Sequence, residues 1–268
     1  MKELPAEKIR ESVRKRYGEI AAQSQSGCGC APSGCCSGST PAPQGKLALQ
    51  IGYSQEEVQA VPVGANLGLG CGNPQAIAAL QLGETVLDLG SGGGFDCFLA
   101  ARQVGSTGQV VGVDMTAEMV AKARENAEEA GYAKVEFRLG EIEHLPVADA
   151  SVDVILSNCV INLSPDKPQV FREAFRVLRP GGRLAISDIV AMATMPEEMR
   201  NDLALYAGCI AGAATKAELE AMLREAGFDQ IRIQPKEESR RLIREWAPGR
   251  KIEDYIASAS IEAVKPAA

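Results

Sequence analysis

Apolar and polar positions recur with two different periods along the chain, and the changes of period mark out its elements. Ile9, Val13, Tyr17 and Ile20 lie at helical spacing, so Ala6 to Gln23 is expected to form an amphipathic helix that docks its apolar stripe on a folded body. From Thr85 onward, short apolar runs bounded by glycine alternate with helical patterns. Thr85–Leu89, Gln109–Asp114, Lys134–Leu139, Val152–Ser157 and Arg183–Ile189 read as buried strands, with helices over Phe95–Val104, Ala117–Ala130 and Pro168–Leu178. Ile231–Gln234 and Tyr255–Val264 add two more strands. This succession predicts an α/β fold, a Rossmann-like, seven-stranded and mostly parallel sheet.

End signals sharpen the boundaries. Ser54 with Glu57 and Thr215 with Glu218 read as capping boxes, the second helix ending at Gly227. Asn73 as N-cap, Pro74 at the first helical position and Gly83 at the far end predict a helix over that span. A helical insert, Pro196 to about Ile210, follows the fifth strand. Ser24 to Gly45 is Gly, Ser, Pro and Cys, a composition that buries too little apolar surface to order itself, and is expected to be a flexible arm bearing Cys28, Cys30, Cys35 and Cys36. The chain thus divides into 1–45, the first helix and arm; 46–190, the nucleotide-binding part; and 191–268, the insert and last two strands.

The first strand runs straight into Gly90, Gly92 and Gly94, and the next strand ends in Asp114. A strand, glycine loop, helix and acid-terminated strand form half of a nucleotide-binding unit, the acid placed to accept hydrogen bonds from ribose hydroxyls. Asp88 bears on which nucleotide, because a carboxylate just before the glycines repels a pyrophosphate and suits a cationic sulfonium. The loop DLGSGGG resembles motif I of the class I S-adenosylmethionine-dependent methyltransferases. That resemblance implies an antiparallel last strand and an adenine site at Gly140–Pro146. Glu141, Ile142 and Glu143 are the candidates there, Glu141 first.

Composition narrows the chemistry. A net charge of −7 with no basic stripe argues against a grip on nucleic acid, and no apolar run approaches a membrane span. A soluble, cytoplasmic protein is expected, and in that setting the eight cysteines read as ligands, nucleophiles or redox thiols rather than structural disulfides. Histidine occurs once, as His144, which all but excludes histidine acid–base catalysis. Cys71, flanked by glycines ahead of a helix N-terminus, is expected to have a lowered pKa. Cys159 follows the fourth strand, where ligands of open α/β sheets bind, and is expected to face the reacting group. Trp246 falls in a charged connection and carries no signal.

GCGNP at 70–74, DLGSGGGFDC at 88–97, GEIEHLP at 140–146, SNCVINLSPDK at 157–167 and YAGCIAGA at 206–213 together resemble the bacterial and archaeal arsenite methyltransferases. The resemblance implies that S-adenosylmethionine is held by Asp88, Gly90, Ser91, Gly92, Gly94, Asp114, Met115, Gly140, Glu141, Ile142 and Asn158. It implies that Cys159 and Cys209 hold arsenic(III) throughout, that Cys71 is the third cysteine, and that Cys35 or Cys36 supplies a fourth. The implied partners are arsenite and methylated arsenicals as thiol conjugates, with thioredoxin or glutathione as reductant. Soft thiolates suit a thiophilic trivalent metalloid, whose lone pair attacks a methyl group without a general base. Two other readings use the same residues: a small-molecule C- or O-methyltransferase in which the cysteines merely pack, and a non-catalytic metalloid-binding protein.

Overall fold

Side chains on successive residues of each strand point to opposite faces of a sheet, and here both faces are covered. In the computed structural model, which describes residues 4–23 and 43–267, the order is β3-β2-β1-β4-β5-β7-β6, with β7 antiparallel to both neighbours. The strands are β1 (Thr85–Leu89), β2 (Gln109–Asp114), β3 (Val135–Leu139), β4 (Val152–Asn158), β5 (Leu178–Ala191), β6 (Asp229–Lys236) and β7 (Ile256–Val264). Ahead of the sheet lie α1 (Ala6–Gln23), α2 (Pro43–Gln50), α3 (Gln55–Gln59) and α4 (Gln75–Ala78). Within it come α5 (Phe95–Val104), α6 (Ala117–Glu129), α7 (Lys167–Val177), α8 (Glu197–Arg200), α9 (Leu203–Ala207), α10 (Lys216–Ala226) and α11 (Arg240–Ile243).

The alternation is visible in the core. Leu87, Leu89, Val111, Val113 and Ile155 point to the face covered by α7 and α10, where Phe171 and Leu223 meet them. Val86, Val110, Val154 and Leu156 point to the opposite face and pack with Phe98 of α5 and Ala123 of α6. A third apolar cluster sits beyond the ends of the strands. It joins Ile9 and Val13 of α1 to Met199, Leu205 and Ile252 and contains Cys71, Cys159 and Cys209.

The strands, the capping boxes at Ser54 and Thr215, and the left-handed stop at Gly227 follow the sequence pattern. Four boundaries do not, the first being that of the arm expected to run to Gly45, whereas α2 already begins at Pro43. The helix expected to run toward Gly83 stops at Ala78, because the chain turns left-handed at Ala79 (φ 47°) and the Arg183 guanidinium takes the Ala78 and Ala79 carbonyls. The insert breaks into α8 and α9, with Asp202 capping the second at the Ala204 and Leu205 N–H groups. Strand β5 begins at Leu178 rather than after the RPGG turn: Leu178 already pairs with Val152, Arg183 pairs with Val154, and the turn bulges between them. The cysteines of the arm, Cys28, Cys30, Cys35 and Cys36, lie outside the described residues. Among the described residues no helix is long and apolar enough to cross a membrane.

Phe171 is buried at the centre of the larger cluster. Phe171→Ala is expected to lower stability by about 3–5 kcal/mol, through lost burial and the cavity left behind, as read from the urea midpoint at unchanged slope.

Candidate active site

Strand order reverses between β1 and β4, and the carboxyl ends of these strands open into a cavity of about 530 Å³. The glycine loop forms one wall. Gly90 N–H and Ser91 N–H both donate to the Val113 carbonyl, at 2.7 and 3.1 Å, which ties the loop to the end of β2. Gly90 has φ +70°, and a Cβ there would overlap the Val160 side chain; Gly92 has φ +50° and faces open space. The backbone can therefore meet a ligand at Gly92 with no side chain intervening.

Carboxylates surround that wall. Asp114 accepts from Gly92 N–H at 3.0 Å and Thr116 N–H at 2.9 Å and lines the cavity with Met115. Asp88 is buried, accepts the Cys97 thiol proton at 3.3 Å, and is pushed well above the carboxylate range by burial and then by the charge of Asp96. Asp96 is raised as well, chiefly by burial, although Tyr53 (2.8 Å), Gln75 (3.2 Å) and Asn158 (3.4 Å) donate to it. Two buried carboxylates opening on one cavity favour a cationic group between them. The Ser91 hydroxyl, also on the cavity, is buried without a partner among the described residues. Cradle, acids and free hydroxyl fit S-adenosylmethionine.

The expected cofactor residues are not all on this wall. Asp88, Gly90, Ser91, Gly92, Asp114, Met115, Ile142 and Asn158 line the cavity; Gly94, Gly140 and Glu141 do not. Glu141 turns outward, its carboxylate 2.5 Å from Arg14 and 3.6 Å from Arg10 of α1. Glu143 is the buried acid of that loop, taking the Ser164 hydroxyl at 2.7 Å and Arg10 at 3.4 Å. His144 is exposed.

At the same cavity, three thiols converge from three separate parts of the chain. The ligand atoms of Cys71, Cys159 and Asp188 lie within 4.8 Å of one another. The Cys209 thiol donates to the Cys159 carbonyl at 2.7 Å. Cys159 and Cys209 line the cavity, with Cys71 buried behind them. Both lining cysteines have left-handed backbones, φ 61° and 63°, a conformation that costs a non-glycine residue about 1–2 kcal/mol and persists where surrounding contacts impose it. For Cys159 those contacts are its N–H to the Ser187 carbonyl (2.8 Å) and the Asp188 carboxylate, which accepts from Ile161 N–H and the Asn162 amide, both at 2.9 Å.

The lowered pKa expected for Cys71 is reversed. Burial pushes its thiol up to about 11, and α4, four residues long, adds too little dipole to compensate. Cys159 is also raised, the Cys209 hydrogen bond opposing the effects of Cys71 and burial; Cys209 is raised by its bond to Cys159 and then by burial. The cluster therefore holds neutral thiols. Cys97, the fourth free thiol among the described residues, lies apart on Asp88.

Helix α1 covers the cavity. Ile9 and Val13 bury against the cysteine cluster, Tyr17 packs against the same cluster, and Arg16 reaches the Ala204 carbonyl at 3.2 Å. Tyr17, Asp96, Asp188 and Trp246 are site residues that sequence reasoning did not select. Asp188 had a signal, an acid inside the apolar run AISDIV; Trp246, which lines the cavity, had none.

Gly90→Ala is expected to abolish binding of S-adenosylhomocysteine in calorimetric titration, whereas Gly131→Ala, at a turn with open space around it, leaves binding intact. Because the Cys71 thiol is held near 11, its alkylation rate should keep climbing with pH beyond the ordinary thiol range instead of levelling there, as followed by peptide mass spectrometry.

Residues 80–227 match the family model of a methyltransferase domain. An arsenite methyltransferase from Halobacterium salinarum is 54% identical over 97% of this chain and 68% of its own length, and one from Aquipseudomonas alcaligenes is 43% identical over 84% and 63%. The crystal structure of an arsenic(III) S-adenosylmethionine methyltransferase from Chlamydomonas reinhardtii superposes with a TM-score of 0.60 at 31% identity, covering 85% of this chain and 74% of that one. The chain, with its glycine cradle, buried acids and converging cysteines, belongs to the arsenite methyltransferase family of S-adenosylmethionine-dependent enzymes.

Proposed function

We propose that this protein transfers methyl groups from S-adenosylmethionine to trivalent arsenic held by Cys71, Cys159 and Cys209. The observation that carries the reading is the convergence of these buried thiols, with Cys159 and Cys209 on the wall of the cavity that the glycine cradle also lines and Cys71 buried against them.

Neutral thiols suit the substrate. Arsenite is an uncharged acid near neutral pH, and each thiol that bonds to arsenic displaces one hydroxyl, which leaves as water with the thiol proton. Three such exchanges give a neutral, trigonal pyramidal trithiolate, so no charge has to enter the buried cluster. S-adenosylmethionine supplies an electrophilic methyl group on a sulfonium. Asp88 and Asp96 favour that cationic end, Asp114 is disposed toward ribose hydroxyls, and Ile142 with Met115 offers apolar walls to the adenine. Ile9, Val13 and Leu205 exclude water, and the thiols aim the arsenic lone pair along the cavity, so catalysis rests on positioning rather than proton transfer. The position of His144 is in keeping with this.

Methylation raises arsenic to the pentavalent state, and oxidation of two thiols to a disulfide returns it to the trivalent state. We assign this step to Cys71 with Cys35 or Cys36 of the arm, reopened by glutathione or thioredoxin in the cytoplasm, with methylated arsenicals arriving as thiol conjugates.

The test is methyl transfer from labelled S-adenosylmethionine to arsenite with excess glutathione, the arsenic species separated by chromatography. Methylated arsenic is expected from the wild type and none from Cys159→Ser or Cys209→Ser. Full activity in Cys159→Ser would sink the mechanism; binding of both ligands without turnover would point to sequestration.

A further inference from the structure

Cys71 is held differently from the other two thiols. Its backbone lies in an irregular loop, and both polar groups of that backbone are taken by side chains from distant strands. The Cys71 N–H donates to Asn158 Oδ1 of β4 at 3.0 Å, and the Cys71 carbonyl accepts from Ser258 Oγ of β7 at 2.6 Å. The Asn158 amide nitrogen donates to the Gly72 carbonyl at 2.8 Å. Glycines on either side make this approach possible: a Cβ at Gly70 would lie 2.9 Å from Asn158, and one at Gly72 would lie 2.8 Å from Ser187.

The same amide reaches the cofactor end of the site. Asn158 Nδ2 also donates to Tyr53 Oη at 3.0 Å, and Tyr53 donates to Asp96 in the first turn of α5. Gln75, which follows the loop, donates to the Asp96 carbonyl at 2.8 Å. Asn158 lines the cavity, yet its hydrogen-bonding groups point into this network rather than toward a ligand. Cys71 itself does not touch the cavity; its thiol rests 3.6 Å from the Ser187 carbonyl.

We propose that Asn158 and Ser258 are positioning residues that hold Cys71 as the third sulfur of the arsenic site, and thereby select arsenite over its monomethylated product. The proposal rests on the arsenite reading above. Arsenite has three oxygens that thiols displace, whereas a monomethylated trivalent arsenical has two. Cys159 and Cys209, fixed by their own contacts, satisfy the second substrate; the first also needs Cys71 at its post. The latch therefore governs the first methylation and not the later one.

The test compares Asn158→Ala and Ser258→Ala with Ser260→Ala, a buried serine two residues along the same strand. Iodoacetamide alkylation of each thiol is followed by peptide mass spectrometry, and the affinities for arsenite and monomethylarsonous acid are measured. Cys71 should be alkylated about tenfold faster in the two latch variants than in wild type or Ser260→Ala, with arsenite affinity falling about tenfold and monomethylarsonous acid affinity unchanged. X-ray absorption should show arsenite going from three sulfur neighbours to two. Unchanged Cys71 alkylation, or equal weakening of both arsenicals, would overturn the proposal, the latter marking a merely structural role. Where Asn158→Ala does not fold, Asn158→Asp, which keeps the acceptor for the Cys71 N–H and loses the donor to Gly72, is judged by the same readouts. If wild type binds neither arsenical, the arsenite reading has failed, and alkylation alone then decides the latch.

Discussion

The thiols of the site are referred to one short stretch of buried backbone, Ser187 to Ile189 of β5. The Ser187 carbonyl takes the Cys159 N–H and the Cys71 thiol; the Asp188 carboxylate and the Ile189 carbonyl take the turn that follows Cys159. β5 can serve this way because it is an inner strand, hydrogen-bonded to β4 on one side and to β7 on the other. Asp188 carries the cost of this arrangement. Burial pushes its carboxyl up to about 6, and the backbone donors of Ile189, Ile161 and Asn162, with the charge of Lys167, only partly oppose that. A buried carboxylate survives where several donors replace its lost hydration, and here those donors belong to the turn it has to hold.

Closure of the site by α1 depends on a different force. Its arginines pair with Glu141 and Glu143; the partly exposed pairs to Glu141 contribute about 0–1 kcal/mol each, and Glu143 is buried with the Ser164 hydroxyl as a second donor. Burial of Ile9 and Val13 contributes about 1.5–3 kcal/mol per side chain, so the apolar stripe holds the helix and the ion pairs set its register over the Gly140–Pro146 loop. One consequence reaches the chemistry, since the stripe that docks the helix also carries Tyr17 onto the cluster that contains Cys209.

Much of the fold was legible because a strand buried on both faces and an amphipathic helix leave different periods in a sequence. Thr85–Leu89, Phe95–Val104 and Gln109–Asp114 appear at their expected limits. The glycine loop was legible for a related reason, as positive φ at Gly90, Gly92 and Gly94 restricts those positions to glycine. Errors fell where a distant side chain intervened. Arg183 ended α4, and Glu141 pairs with Arg14 on the outside of the Gly140–Pro146 loop instead of lining the cavity. The pKa of Cys71 failed likewise: local sequence described its helix end, while its burial came from β5 and β7.

By itself the sequence determined the elements and their order, the cradle, and the supply of thiols with almost no histidine, because each of these is a property of neighbouring residues. Tertiary structure decided which thiols meet. Cys71, Cys159 and Cys209 are far apart along the chain and become neighbours only when β4, β5 and β7 pair and the insert folds back over their ends. It also decided the state of those thiols, since their proton affinity follows from desolvation, which exists only once the cluster has closed.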